Sequence, residues 1–156
     1  MHRLVTLAAL AAATPAFAQP APSVTASNAW SRATPPGATT GAAYMTLTSK
    51  TQDKLTAISS PEAASVQIHE MKMSGNVMQM REVEGGLPLP ANTPVTLAPG
   101  GYHAMLMGLK APLKKGDTVR LHLTFEHSPP LDVDAPIAAI GASSPAAMPG
   151  HQHSGM

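Results

Sequence analysis

The sequence predicts an all-β protein, an antiparallel β-sandwich or barrel, on three observations. Sixteen prolines are scattered along 156 residues, and no window sustains the 3.6-residue apolar period of an amphipathic helix. Apolar and polar residues instead alternate in short runs, as a strand with one buried face requires. Clusters of Gly, Pro, Asn and Ser part those runs at short intervals, which is the punctuation of a many-stranded sheet.

The elements follow in order. Met1-His2-Arg3 is a short basic start, residues 4–13 are apolar and uncharged, and Ala16-Phe17-Ala18 carries the small-x-small pattern of a signal-peptidase site. Residues 1–18 are therefore expected to be a secretory signal peptide, cleaved before Gln19. An apolar run of ten residues is too short for the ~20 of a membrane helix, so an exported chain without a membrane span is expected. The 138 residues that follow Ala18 suffice for one domain with a single core.

Residues 24–30 read as the first strand, and Arg32 to Ala38 as a loop that Pro35 and Pro36 keep out of any ladder. Further strands are read at 41–49, 55–59 and 65–73, with Pro61-Glu62 parting the last two. Ser74-Gly75-Asn76 is a turn, and residues 77–83 return from it as the second arm of a hairpin. Glu84-Gly85-Gly86 and Pro88-Leu89-Pro90 break the chain, before short strands at 95–98 and 102–108. Residues 118–126 alternate cleanly, placing Val119, Leu121, Leu123 and Phe125 in the core and Arg120, His122, Thr124 and Glu126 in water. A last strand lies within 131–140. From Gly141 the composition turns to Ala, Ser, Pro and Gly and ends His151-Gln152-His153-Ser154-Gly155-Met156. Such a segment buries too little apolar surface to order itself. The domain is thus read as residues 19–140, and 141–156 as a mobile tail.

Composition removes several function classes. Beyond Arg3 the chain holds nine basic and nine acidic side chains, so no basic field exists to attract nucleic acid. There is no cysteine. That excludes a disulfide scaffold, a thiolate nucleophile, the commonest structural zinc sites and a blue copper centre. No Ser nucleophile motif or pair of carboxylates stands out, and an enzyme is not expected.

What remains is a concentration of soft donors. Residues 66–80 and 101–109 hold six of the ten methionines and two histidines. On a strand His69 and Met71 share one face and Val66, Ile68 and Glu70 the other; His103, Met105 and Met107 likewise oppose Tyr102, Ala104 and Leu106. Both segments present His-x-Met on a single face, and Met80 joins them from beyond the turn. Copper(I), a soft cation, selects thioether and imidazole over carboxylate and water.

The segments A-W-S-R-A-T-P-P-G-A-T-T-G-A-A-Y-M, H-E-M-K-M-S-G-N-V-M-Q-M-R and G-G-Y-H-A-M-L-M-G-L closely resemble the PCu(A)C family of periplasmic copper(I) chaperones. The likeness spans residues 24–136. The family's motif, a His, ten residues, a Met and then His-x-Met after twenty-odd residues, falls on His69, Met80, His103 and Met105. Twenty-two residues part Met80 from His103, one more than the motif as usually written. The resemblance implies a cupredoxin-like, Greek-key β-sandwich in the periplasm. It also implies delivery of copper to a cytochrome c oxidase subunit during assembly.

Plainer readings apply to other residues. A strand methionine is more often core filler than ligand, and Met45 is read so. Met73, Met78 and Met107 are read as site walls or core. Met71 can serve as a further ligand beside His69. His122 and His127 are read as surface residues, Trp30 as a core anchor and Glu70 as a solvated charge. The expected activity is capture and transfer of copper(I) by a monomer, at a site on loops and strand ends, with no bond chemistry. The alternative is sequestration of periplasmic copper by the same ligands. His151, His153 and Met156 form a candidate second site, suited to copper(II) through its imidazoles.

Overall fold

The computed structural model describes residues 23–145. The proposed signal peptide and the His151, His153 and Met156 set therefore lie outside the described residues. Ten strands follow one another: β1 Val24–Arg32, β2 Thr40–Ser49, β3 Asp53–Ser59, β4 Ala63–Ser74, β5 Val77–Glu82, β6 Leu87–Leu89, β7 Val95–Leu97, β8 His103–Leu109, β9 Thr118–Phe125 and β10 Leu131–Ala138. None of the described residues lies in a helix, so no helix among them could cross a membrane.

The strands pair in the order β5-β4-β8-β2-β1-β10-β9-β3-β6, and a further β3–β4 pairing at Ile58 and Val66 closes the path into a ring. Of the rest, β5, β6 and β7 hang from β4, β3 and β2 as flaps on that ring. Closure leaves few open edges inside it. All strand pairs are antiparallel except β1–β10, which meet in parallel only at Ser31–Ile137 and Arg32–Ala138. A parallel pair needs a long crossover, and here the whole intervening chain supplies it.

The clean alternation of β9 is realised: Val119, Leu121 and Leu123 have no exposed surface and Phe125 is buried beside them. They meet Leu47, Met45, Leu55, Leu97, Ile68, Leu106 and Val133 in one core. Met45 is core filler, fully enclosed. Trp30 is buried outside this core, in a small cluster with Tyr44 and Ala138. The Arg32 guanidinium lies over both rings, 5.8 and 5.4 Å from their centroids, and its Nε–H donates to the Ala142 carbonyl. Ala142 packs on this cluster, so the chain is held to the barrel just past Gly141.

One segment departs from the sequence reading. The stretch containing Pro88 was expected to break the chain, yet Leu87–Leu89 is a strand with Leu87 and Leu89 buried. It pairs only with β3, where Pro88 lies opposite Lys54. An edge strand tolerates a residue that lacks an N–H. Gly86 makes the entry: its φ is +94°, and an added Cβ would sit 2.6 Å from the Leu55 carbonyl oxygen.

A buried carboxylate fixes the end of the barrel formed by the start of β3. Asp53 accepts hydrogen bonds from the backbone N–H groups of Lys54, His127 and Ser128 and from the Ser128 hydroxyl. Burial alone would raise its pKa, but the bonds from Ser128, Lys54 and His127 outweigh that and hold it below the ordinary carboxylate value.

Candidate metal centre

The register of three strands assembles the soft donors. Across β4–β8, His69 lies directly opposite His103, and Gln67 opposite Met105. Across β4–β5, Met71 lies opposite Met80, and His69 opposite Glu82. Directly opposed residues in an antiparallel pair share a face, with Cβ atoms ~4.5–5.5 Å apart. His69, Met71, Met80, His103 and Met105 therefore occupy one patch of one face. Ile68, Ala104 and Leu106, which alternate with them, are in the core. The patch thus lies on the outward face of β4, β5 and β8. Of the loops and strand ends expected, the donors occupy strands, with His103 at the start of β8, and the sheet ladders hold their spacing.

The two imidazoles are poised differently. Their ring centroids are 5.7 Å apart and their planes inclined by 61°. His103 is only 8% exposed, and its Nδ1–H donates to the Gly101 carbonyl at 3.3 Å, which leaves Nε2 unprotonated. Burial lowers the His103 pKa and the neighbouring His69 lowers it further, against the opposing effect of the Gly101 bond. The ring is held neutral, the form that binds metal. The same Gly101 carbonyl accepts the Met71 backbone N–H at 3.2 Å, so one oxygen ties the base of β8 to β4.

On His69, Nε2–H donates to Oε1 of Gln67 at 3.0 Å. In that tautomer Nδ1 keeps its lone pair, and Nδ1 is buried without a hydrogen-bond partner. An unpartnered buried polar atom costs ~1–3 kcal/mol. A cation bound there would remove that cost, and the residues that share this face, His103, Met71, Met80 and Met105, offer imidazole nitrogen and thioether sulfur. The donor set therefore fits a soft monovalent ion. Among the described residues no three His, Asp or Glu side chains form a group that could hold a metal.

The remaining candidates divide cleanly. Met107 is half-buried on the same face, opposite Ser65. Met73 and Met78 oppose each other further along the hairpin, exposed to solvent rather than walling the site or filling core. Glu70 faces away, paired with Arg81. His122 and His127 are exposed, and His122 Nδ1 meets Asp132 at 2.6 Å. Gln67, Glu82 and the Gly101 carbonyl escaped the sequence reading. The two-residue period from His69 would have found Gln67; Glu82 comes from β5 and the Gly101 carbonyl from the loop before β8.

The LpqE-like lipoprotein family model matches residues 24–137. The protein Lxx21020 of Leifsonia xyli subsp. xyli, named as a lipoprotein, is 33% identical over 132 residues, 85% of this chain and 72% of its own length. The solution structure of CuI-DR1885 from Deinococcus radiodurans matches with a TM-score of 0.58 and 37% identity, covering 77% of this chain and 79% of that one. The copper-bound PCuAC domain from PmoF2 matches with a TM-score of 0.62 and 26% identity, covering 75% of this chain and 93% of that one. The all-β architecture is the cupredoxin-like sandwich of PCuAC domains.

Proposed function

Because this chain belongs to the LpqE-like family of lipoproteins, we propose that it captures copper(I) on its outward patch and hands it to an acceptor protein. His69 and His103 supply nitrogen, and Met80 and Met105 supply sulfur, with Met71 as a further thioether opposite Met80. The observation that carries this reading is the buried, unpartnered Nδ1 of His69, on a ring whose centroid lies 5.7 Å from that of His103. All the donors are neutral, so no thiolate holds the ion permanently, and thioethers can be replaced one at a time by an acceptor's ligands. Met80 is 49% exposed, which lets those ligands reach the ion from solvent.

The acceptor in this reading is a cytochrome c oxidase subunit during copper-site assembly. The protein acts in the periplasm after loss of residues 1–18, as a monomer, without binding nucleic acid and without catalysing bond chemistry. Residues 19–140 form the copper domain. Beyond it, His151 and His153, with Met156, collect copper(II) as a second, weaker site that feeds the first after reduction.

X-ray absorption on the reduced, copper-loaded protein tests the centre: sulfur and nitrogen scatterers are expected together. A first shell of oxygen and nitrogen only would sink the assignment. Incubating the loaded protein with a purified oxidase subunit domain tests delivery. Copper retained against that acceptor would favour sequestration instead.

A further inference from the structure

Among the described strands β5, the second arm of the β4–β5 hairpin, alone buries nothing: every one of its residues is exposed. Its methionines are not core filler, the usual role of Met in a strand. Among the described residues the exposed large apolar side chains are Met73, Val77, Met78 and Met80, all on this hairpin, and Ile140. The register sorts the hairpin into two faces. One carries Glu70, Lys72, Gln79 and Arg81, with Val77; the other carries His69, Met71, Met73, Met78, Met80 and Glu82. On the second face Met73 lies directly opposite Met78, and Met71 directly opposite Met80.

We propose that Met73 and Met78 form an outer, weaker copper(I) site at the hairpin tip, the first rung of a thioether ladder that leads down to His69 and His103. The inference rests on the reading of the histidine patch as the copper(I) centre. Successive rungs are two residues apart along the strands, about 6.7 Å. Opposed Cβ atoms are ~4.5–5.5 Å apart, and each Met side chain has three rotatable bonds beyond its Cα. Two thioethers of one rung can therefore close on one ion. The adjacent rung can reach the same ion before the first lets go.

The chemistry orders the rungs. Met73 and Met78 offer two neutral sulfurs in solvent, at 56% and 51% exposure. The next rung offers two more sulfurs within reach of the imidazoles. The base adds two nitrogens, one of them on the enclosed His103 ring. Donor number and enclosure both rise toward the barrel, so copper(I) moves inward on capture and leaves through the tip toward an acceptor.

The test is a titration of the full chain, with its methionine methyl groups labelled, using copper(I) under anaerobic, reducing conditions and reading each methyl resonance. Met80 and Met105 should move first. Past one equivalent, Met73 and Met78 should move together, while the enclosed Met45 stays fixed. The Met73→Leu/Met78→Leu double variant keeps volume and apolarity but removes both sulfurs. It should lose the second equivalent, release copper(I) more slowly to a competing chelator, and leave the first equivalent's affinity unchanged. Silent Met73 and Met78 beside shifted Met80 and Met105 would remove the outer rung and leave the main centre standing. Silence at all four would remove both.

Discussion

Two antiparallel hairpins of this barrel solve the same geometric problem with opposite chemistry. In β9–β10 the inner face is core, and the outer face pairs polar side chains rung by rung: Arg120 in an ion pair with Asp134, and His122 hydrogen-bonded to Asp132. In β4–β5 the polar face sets Glu70 opposite Arg81, while the other face pairs thioethers and ends at His69, opposite His103 of β8. A histidine stands in each. His122 of the first is half-exposed against a carboxylate, whereas His69 of the second faces another histidine, the enclosed His103 of β8. The first hairpin spends its residues on stability; the second exposes apolar sulfur to water at some cost in solvation, and buries nothing on β5. The difference separates a wall from a candidate site.

The largest expected effect tests the wall. Leu121→Ala, at a fully enclosed β9 position, should destabilise the fold by about 2–5 kcal/mol in urea unfolding. Met78→Ala on β5 should change stability by less than about 0.5 kcal/mol, the ordinary range for a surface substitution. A comparable loss from both would mean that β5 is packed and the contrast is false.

The next effect tests the site. His69→Ala and His103→Ala should each weaken copper(I) binding by at least ~10-fold, measured by competition with a copper(I) chelator. His122→Ala should leave that affinity unchanged, because its ring faces Asp132 rather than the donor patch. A loss at His122 as large as that at His103 would move the centre to the other hairpin.

Methionine sharpens the comparison within one residue type. Met80→Leu should weaken copper(I) binding with the fold unaltered. Met45→Leu, in the core, should cost under about 1.5 kcal/mol of stability and nothing in affinity. Equal affinity losses would show that burial does not distinguish ligand from filler here.

The smallest effect concerns acid. The hydrogen bond from Arg120 holds the Asp134 carboxyl below its ordinary value; desolvation opposes it, and the Arg120 charge adds to the lowering. Its contribution to stability is therefore present above the unfolded carboxylate value of ~3.9 and is lost as pH falls through the lower folded value. Asp134→Asn should flatten the acid limb of a melting-temperature profile. Thioethers bind no proton in this range, so Met73→Leu/Met78→Leu should leave that limb as it is.

Much of this was written in the linear chain. The period-two alternation of β9 named Val119, Leu121, Leu123 and Phe125 as core because a strand's side chains alternate whatever its partners. The same rule put His69 with Met71, and His103 with Met105, on single faces. It could not say which face pointed inward for segments rich in Met, which is apolar enough for the core and soft enough for a metal. Nor could it find β6, because Pro88 ends a central strand but is tolerated at an edge, and only the sheet order shows which strand is the edge.

Register decided the rest. That His69 faces His103 and Met71 faces Met80, rather than residues two positions away, is set by where β8 and β5 lie against β4. The sequence thus determined which donors the protein has and how they alternate. Only the tertiary structure brought them together outside the core and left Nδ1 of His69 without a partner, because pairing between distant strands depends on the closure of the whole barrel.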